Sequence, residues 1–306
     1  MRPLIRVMRP GDWAKNVFVL PAVVFSERLS EPEAMGHAAL AFAAFCLLSS
    51  GFYALNDVLD RESDRRHPIK RNRPVASGAV SPKIAMILGL SCAALGLTLG
   101  WIVSWSLVAV LLTYAMLQIL YNGLLKRVLF VDVVTIAIGF SLRSAAGAVA
   151  IDVQMSIWLL LCVFFLCLYL GFIKRLCDIS SSARSQDSSW RPAASYDDPN
   201  ELNWLLGVSA VLAVVAYLMY TLSKHAWFLF GARSLGLALL TPLVLIAIHR
   251  FYRRASKGTS DSPLAALRQD RAVLASVVLF VLGVFASLYV DFVRTILETL
   301  FVAGAE

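Results

Sequence analysis

The chain has 306 residues, of which 59% are hydrophobic and 16% charged, with a formal net charge of +8. That is more apolar side chain than a soluble domain of this length can bury, so an ordinary soluble globular fold is excluded and the bilayer is the natural solvent.

In chain order, nine apolar stretches are predicted as membrane-spanning helices, at residues 13–26, 36–55, 82–101, 105–122, 128–151, 156–173, 202–222, 233–249 and 272–293. Crossing the hydrocarbon core takes roughly 20 apolar residues. The first stretch is the shortest, because its run from Val17 to Phe25 is interrupted by Pro21. A signal peptide is the competing reading there, since Arg2, Arg6, Arg9 and Lys15 precede the apolar run, but no clear small-residue cleavage site follows. The runs are continuous rather than alternating, which disfavours a transmembrane barrel. The predicted fold is all-α, a polytopic bundle of nine transmembrane helices forming one domain over residues 1–306.

Charge sets the predicted orientation. With the N-terminus in the cytoplasm, the inner loops are 56–82, 122–128, 174–201 and 249–271. Of the 28 basic residues, only Arg28, Lys224, Arg233 and Arg294 then fall outside, while Arg143 lies within a span. This is the positive-inside pattern, with the C-terminus outside. It also accounts for the net charge without a nucleic-acid partner. Trp13, Trp101, Trp105, Trp158 and Trp227 lie near span ends, as interfacial anchors do. Cys46, Cys92, Cys162, Cys167 and Cys177 show no C-x-x-C spacing and read as small core residues. A homo-oligomer is compatible with the sequence, which does not specify one.

Chemistry concentrates after the second stretch, where Asn56, Asp60 and Asp64 recur at every fourth residue. On a helix they share one face. Carboxylate and amide oxygens suit a hard cation, and Mg²⁺ takes one or two carboxylates plus substrate phosphate oxygens. A solvated helix end, with its acids paired to Arg61, Arg65 and Arg66, is the plainer alternative. The acids are followed by Lys70, Arg71 and Arg73, however, and cations beside a metal site suit a polyanion. Arg143 is a charge inside an apolar span, which costs at least about 2.5 kcal/mol on insertion scales and so calls for a purpose. An ion pair with one of the acids after the second stretch is the structural explanation.

The string NDVLDRESDRRHPIKRNRP (residues 56–74) resembles the first aspartate-rich motif of the UbiA superfamily of intramembrane prenyltransferases. The opening RPGDWAKN (residues 9–16) is similar to that family's R-P-x-x-W-x-K-N signature, and Tyr121, Asn122 and Lys126 resemble its Y-x-x-x-x-K segment. The family's aromatic prenyltransferases carry a second D-x-x-x-D motif after the sixth span. Here Lys174, Arg175 and Asp178 stand in its place, with Ser182 four residues beyond Asp178. That departure, and the segment around Arg143, resemble the branch that transfers phosphoribosyl groups to polyprenyl phosphate.

The resemblance implies a nine-helix bundle in a bacterial cytoplasmic membrane, with its active site facing the cytoplasm. It implies Mg²⁺-dependent transfer of a 5-phosphoribosyl group from phosphoribosyl pyrophosphate to a polyprenyl (decaprenyl) phosphate, for pentose-containing envelope glycans. Asn56, Asp60 and Asp64 would hold the metal. Lys15, Lys70, Arg71 and Arg73 would meet the donor phosphates, and Asn16 would enter the cavity beside Lys15 as a further substrate-binding residue. Tyr121, Lys126, Arg143, Lys174 and Arg175 are further substrate-binding candidates, and Asp57 or Asp178 would orient sugar hydroxyls. The rival reading is joining a prenyl diphosphate to an aromatic or other small acceptor. A transporter or assembly factor is disfavoured because the polar groups gather at one face.

Overall fold

A computed structural model describes residues 2–66, 70–182, 196, 198–257 and 269–302. Every regular element among them is helical. The chain divides into two compact units, Met1–Met155 and Ser156–Glu306.

The first unit begins with α1 (Arg2–Met8), a 3₁₀ helix (Pro10–Val19) and α2 (Pro21–Val24). The long helix α3 (Pro32–Leu59) follows, then α4 (Arg61–Arg66), α5 (Pro82–Val103), α6 (Trp105–Gly123) and α7 (Val131–Ala150). Local signals set these bounds. Ser81 and Ser104 each accept a backbone N–H bond at the start of α5 and α6, from Ile84 and Leu107 respectively. Pro82 and Pro32 sit at helix starts, where the missing N–H costs nothing.

Helices α3 and α5 approach at small residues, as packing within lipid favours. A Cβ on Gly51 would lie 2.7 Å from the Gly89 carbonyl oxygen, and one on Gly96 would lie 2.8 Å from that of Ala44. Beside this seam, Phe45, Leu48, Leu107, Leu111 and Tyr114 form a buried core.

The second unit holds α8 (Ile157–Ser182), α9 (Pro199–Thr221), α10 (Lys224–Phe230), α11 (Arg233–Leu239), α12 (Thr241–Ser256), α13 (Arg271–Tyr289) and α14 (Asp291–Phe301). Pro242, which has no N–H to donate, follows the break between α11 and α12. Asp198 and Asp270 cap α9 and α13. Tyrosine hydroxyls tie the helices together, Tyr169 donating to the Ile248 carbonyl and Tyr217 to that of Leu237, each at 2.6 Å.

Among the described residues, eight helical stretches are long and apolar enough to cross a membrane. They coincide with the second to ninth predicted spans. The first prediction, residues 13–26, needs correction: that stretch is the ten-residue 3₁₀ helix and four-residue α2, and it is not a continuous apolar α-helix. Pro21 interrupts it, and Pro10 and Pro32 flank it. It nevertheless runs antiparallel along α3. Arg9 meets Asp57, Trp13 meets Ser50, Asn16 meets Cys46 and Ser49, and Ala22 and Val23 pack with Ala34 and Ala38. At about 2.0 Å rise per residue, ten 3₁₀ residues cover about 20 Å, more than an α-helix of equal length.

Candidate active site

The end of α3 and the start of α4 form one charged corner. Asp60 breaks the helix, yet its amide donates to the Asn56 carbonyl and the Asp64 amide donates to the Asp60 carbonyl, both at 2.8 Å. The four-residue spacing therefore survives the break, and Asn56, Asp60 and Asp64 follow one another at successive turns.

Each acid here has a basic partner. Asp57, 1% exposed, pairs with Arg9 in a short contact and with Arg73 at 3.3 Å. Arg73 Nη1 also donates to Asp64 Oδ2 at 2.6 Å, so one guanidinium bridges two buried carboxylates. Asp60 is more open, and Lys126 Nζ lies 3.2 and 3.4 Å from its two oxygens. Arg9 adopts the left-handed backbone (φ 51°) and stacks over the Tyr53 ring at 5.1 Å. Of the flanking arginines expected to pair with the acids, Arg65 bonds the Ala76 carbonyl and Glu62, and Arg61 lies 3.9 Å from Glu62.

Lys70, half-buried, and Arg71, exposed, occupy a 3₁₀ turn ahead of Arg73. Tyr121 is half-buried near the end of α6. His67, Pro68 and Ile69 of the motif lie outside the described residues, as does most of the polar loop after α8.

A second cluster lies deeper in the same unit, where Arg143, 5% exposed, donates to Asn16 Oδ1, the Gly139 carbonyl and the Tyr114 hydroxyl, each at 2.8 Å. Rings of Tyr114, Phe140 and Phe45 surround its guanidinium at 4.8, 5.0 and 5.6 Å. The expected ion pair between Arg143 and the acids after the second stretch is not seen among the described residues. Lys15, next to Asn16, is half-exposed and bonds Asp12 at 2.6 Å. The sequence pattern alone does not mark two of these participants, Arg9 as an ion-pair partner and the buried Tyr114. Arg9 stood in the quoted opening signature, which was the available signal.

In the second unit, Lys174 and Arg175 both lie 3.5 Å from Asp178 on the last turns of α8.

The corner fits a divalent ion in donor type: two carboxylates and one amide, all oxygen-bearing, with Asp60 partly open. Among the described residues, no three His, Cys, Asp or Glu side chains converge as a metal cage. An ion held here would therefore complete its shell with other oxygens.

Membrane-length helices, with acids and bases paired at the end of one of them, define a polytopic membrane protein. The chain belongs to the UbiA prenyltransferase family, whose profile matches residues 17–266, and that makes it a membrane transferase. It is 32% identical, over 72% of its length and 70% of the relative's, to the decaprenyl-phosphate phosphoribosyltransferase of Mycolicibacterium smegmatis. It is 28% identical to the protein of that name from Corynebacterium glutamicum, over 94% of this chain and 87% of that one. Its fold is similar to a UbiA homolog from Archaeoglobus fulgidus solved with GPP and Mg²⁺, with a TM-score of 0.70, 18% identity, and coverage of 94% of this chain and 99% of that one.

Proposed function

We propose that this protein transfers a 5-phosphoribosyl group from phosphoribosyl pyrophosphate to a polyprenyl phosphate, releasing pyrophosphate, in a bacterial cytoplasmic membrane with the site facing the cytoplasm. The observation that carries the reading is the cluster at Lys174, Arg175 and Asp178. One acid stands between two cations where the aromatic prenyltransferases place paired acids. The names of the relatives above agree with it, and the excess of basic residues on one side supports the orientation.

Asn56, Asp60 and Asp64 are assigned to Mg²⁺. When bound, that ion neutralises charge on the leaving pyrophosphate. Lys15, Lys70, Arg71, Arg73 and Lys126 are assigned to the donor phosphates, and Tyr121, Lys174 and Arg175 to the remaining phosphate or the acceptor. Asp57, held by two arginines, fixes Arg9 and Arg73 rather than meeting a sugar hydroxyl, which leaves Asp178 for that role. A lipid phosphate is already an anion near neutral pH and can attack the anomeric carbon without a dedicated base. Catalysis then rests on positioning and electrostatics. The product would supply pentose for envelope glycans.

The test offers purified protein, Mg²⁺ and polyprenyl phosphate with labelled phosphoribosyl pyrophosphate. In parallel, it offers a prenyl diphosphate with 4-hydroxybenzoate. Labelled lipid is expected in the first arm, and an Asp60→Ala variant should lose it. Product in the second arm alone would establish an aromatic prenyltransferase instead.

A further inference from the structure

Three successive positions on one face of α7 hold three positions of the 3₁₀ helix. Arg143 donates to Asn16, Ser144 Oγ donates to the Phe18 carbonyl at 2.9 Å, and Gly147 lies so close that a Cβ there would meet the Val19 carbonyl oxygen at 1.8 Å. The rings of Phe140 and Phe18 meet edge-on at 5.0 Å. A 3₁₀ helix of ten residues is long for its kind, because its internal hydrogen bonds are poorly aligned. Its shape must come from outside, and α7 together with α3 is the mould.

Within that mould the Arg143 guanidinium is fully engaged. It is 5% exposed, gives three nitrogens to neutral acceptors, and has aromatic rings around it. A phosphate reaching it would have to displace those acceptors. Its bond to Asn16 has a directional effect as well. With Oδ1 accepting from Arg143, the Asn16 amide nitrogen points to Cys46 Sγ at 3.2 Å and Ser49 Oγ at 3.4 Å on α3. Asn16 is thereby fixed to two helices at once, and the adjoining Lys15 side chain is left half-exposed.

We propose that Arg143 is a positioning residue that acts through Asn16 to present Lys15, and that it does not touch substrate. The proposal rests on the phosphoribosyl-transfer reading for its kinetic test alone.

Kinetics are measured for Arg143→Met and Arg143→Lys, alone and with Lys15→Met, with KM taken separately for donor and lipid. Arg143→Met is expected to lower kcat about a hundredfold, the scale of loss from displacing a reacting group by about 1 Å. The lipid KM should change by less than about threefold, and any rise in the donor KM should match that of Lys15→Met alone. Arg143→Lys should rescue little, since an ammonium cannot reproduce the planar fork. In the Lys15→Met background, Arg143→Met should cost no more than about a further twofold. Full loss in that background would mean a general structural role. A tenfold or larger KM increase for one phosphate substrate, restored by Arg143→Lys, would mean a phosphate ligand. Either result overturns the proposal. Should Arg143→Met fail to fold, Asn16→Ala removes the acceptor and leaves the guanidinium, and it carries the same expectations.

If the wild type turns over neither substrate, the functional reading fails and amide hydrogen exchange decides this one. Arg143→Met should speed exchange at residues 16–20 while the α3 and α5 amides stay unchanged. Unchanged exchange at residues 16–20 would sink it.

Discussion

Replacing Lys126 with methionine removes the ammonium that lies 3.2 and 3.4 Å from the two Asp60 oxygens and keeps most of the side chain's length. In the free protein that ammonium occupies the carboxylate a metal ion would need, so it competes with the ion. The side chains of the pair are 21% and 33% exposed, which places it among partly solvated ion pairs worth up to about 1 kcal/mol. Lys126→Met should therefore tighten donor-free binding of Mn²⁺, used as a spectroscopic stand-in for Mg²⁺, by up to about fivefold. With phosphoribosyl pyrophosphate present the sign reverses. On the proposed function the lysine then donates to a phosphate, and losing a charge-assisted hydrogen bond costs about 1.5–3 kcal/mol, or roughly 10- to 150-fold in affinity for the metal–donor pair. Electron paramagnetic resonance titration of free Mn²⁺, with and without donor, reads both numbers. A shift of the same sign in both titrations, or none without donor, would refute the competition.

Asp57→Asn should be among the most damaging single changes at the corner, because it leaves Arg9 facing a neutral group at a buried site, while Arg73 keeps only Asp64 among the described residues. Breaking a buried pair costs about 3–5 kcal/mol, visible as a large drop in thermal stability in detergent. Gly51→Ala places a methyl 2.7 Å from the Gly89 carbonyl oxygen and should destabilise by about 1–3 kcal/mol, read in the same melt. At the start of α13, burial alone would raise the Asp270 carboxyl. The amides of Val273 and Ala272 and the Arg254 side chain outweigh it, so the value lies below its ordinary 3.8. The group's stabilising contribution is then complete above about pH 3.8 and is lost as pH falls through the lowered value. Asp270→Ala should cost about 0.5–2 kcal/mol near neutral pH, and the gap to wild type should narrow in melts below pH 3.8.

Much of this architecture was legible because lipid enforces a simple code. A run of about 20 apolar residues has few alternatives to a spanning helix, and the second to ninth predicted stretches coincide with helices of that length. The first failed as a helix for a reason also present in the sequence. Pro21 removes one backbone donor within it and separates the 3₁₀ helix from α2, but apolar content does not say which tighter or broken geometry replaces a single α-helix. At the corner, the spacing of Asn56, Asp60 and Asp64 gave the face they share. Pairing was not legible, since Arg9 and Lys126 lie 48 and 66 residues from their carboxylate partners.

Arg143 shows why a buried charge is an ambiguous sign. The cost of an intramembrane cation argued for a counter-ion or a ligand, and the acids after the second stretch were the obvious candidates. The structure instead engages it with an amide, a phenol and a backbone carbonyl and rings it with aromatic faces. Ring quadrupoles stabilise a desolvated guanidinium by about 2 kcal/mol or more where water is excluded, and hydrogen bonds to the charged group add to that. Together these offset a charge-insertion cost of about 3 kcal/mol without a carboxylate. The acids are then left to Arg9, Arg73 and Lys126, and of these pairs the partly open one between Lys126 and Asp60 can be exchanged for a ligand. A guanidinium locked among neutral partners cannot be exchanged in that way. The Lys126–Asp60 pair and the Arg143 cluster thus differ in what their bonds permit, the first able to let go and the second built to hold.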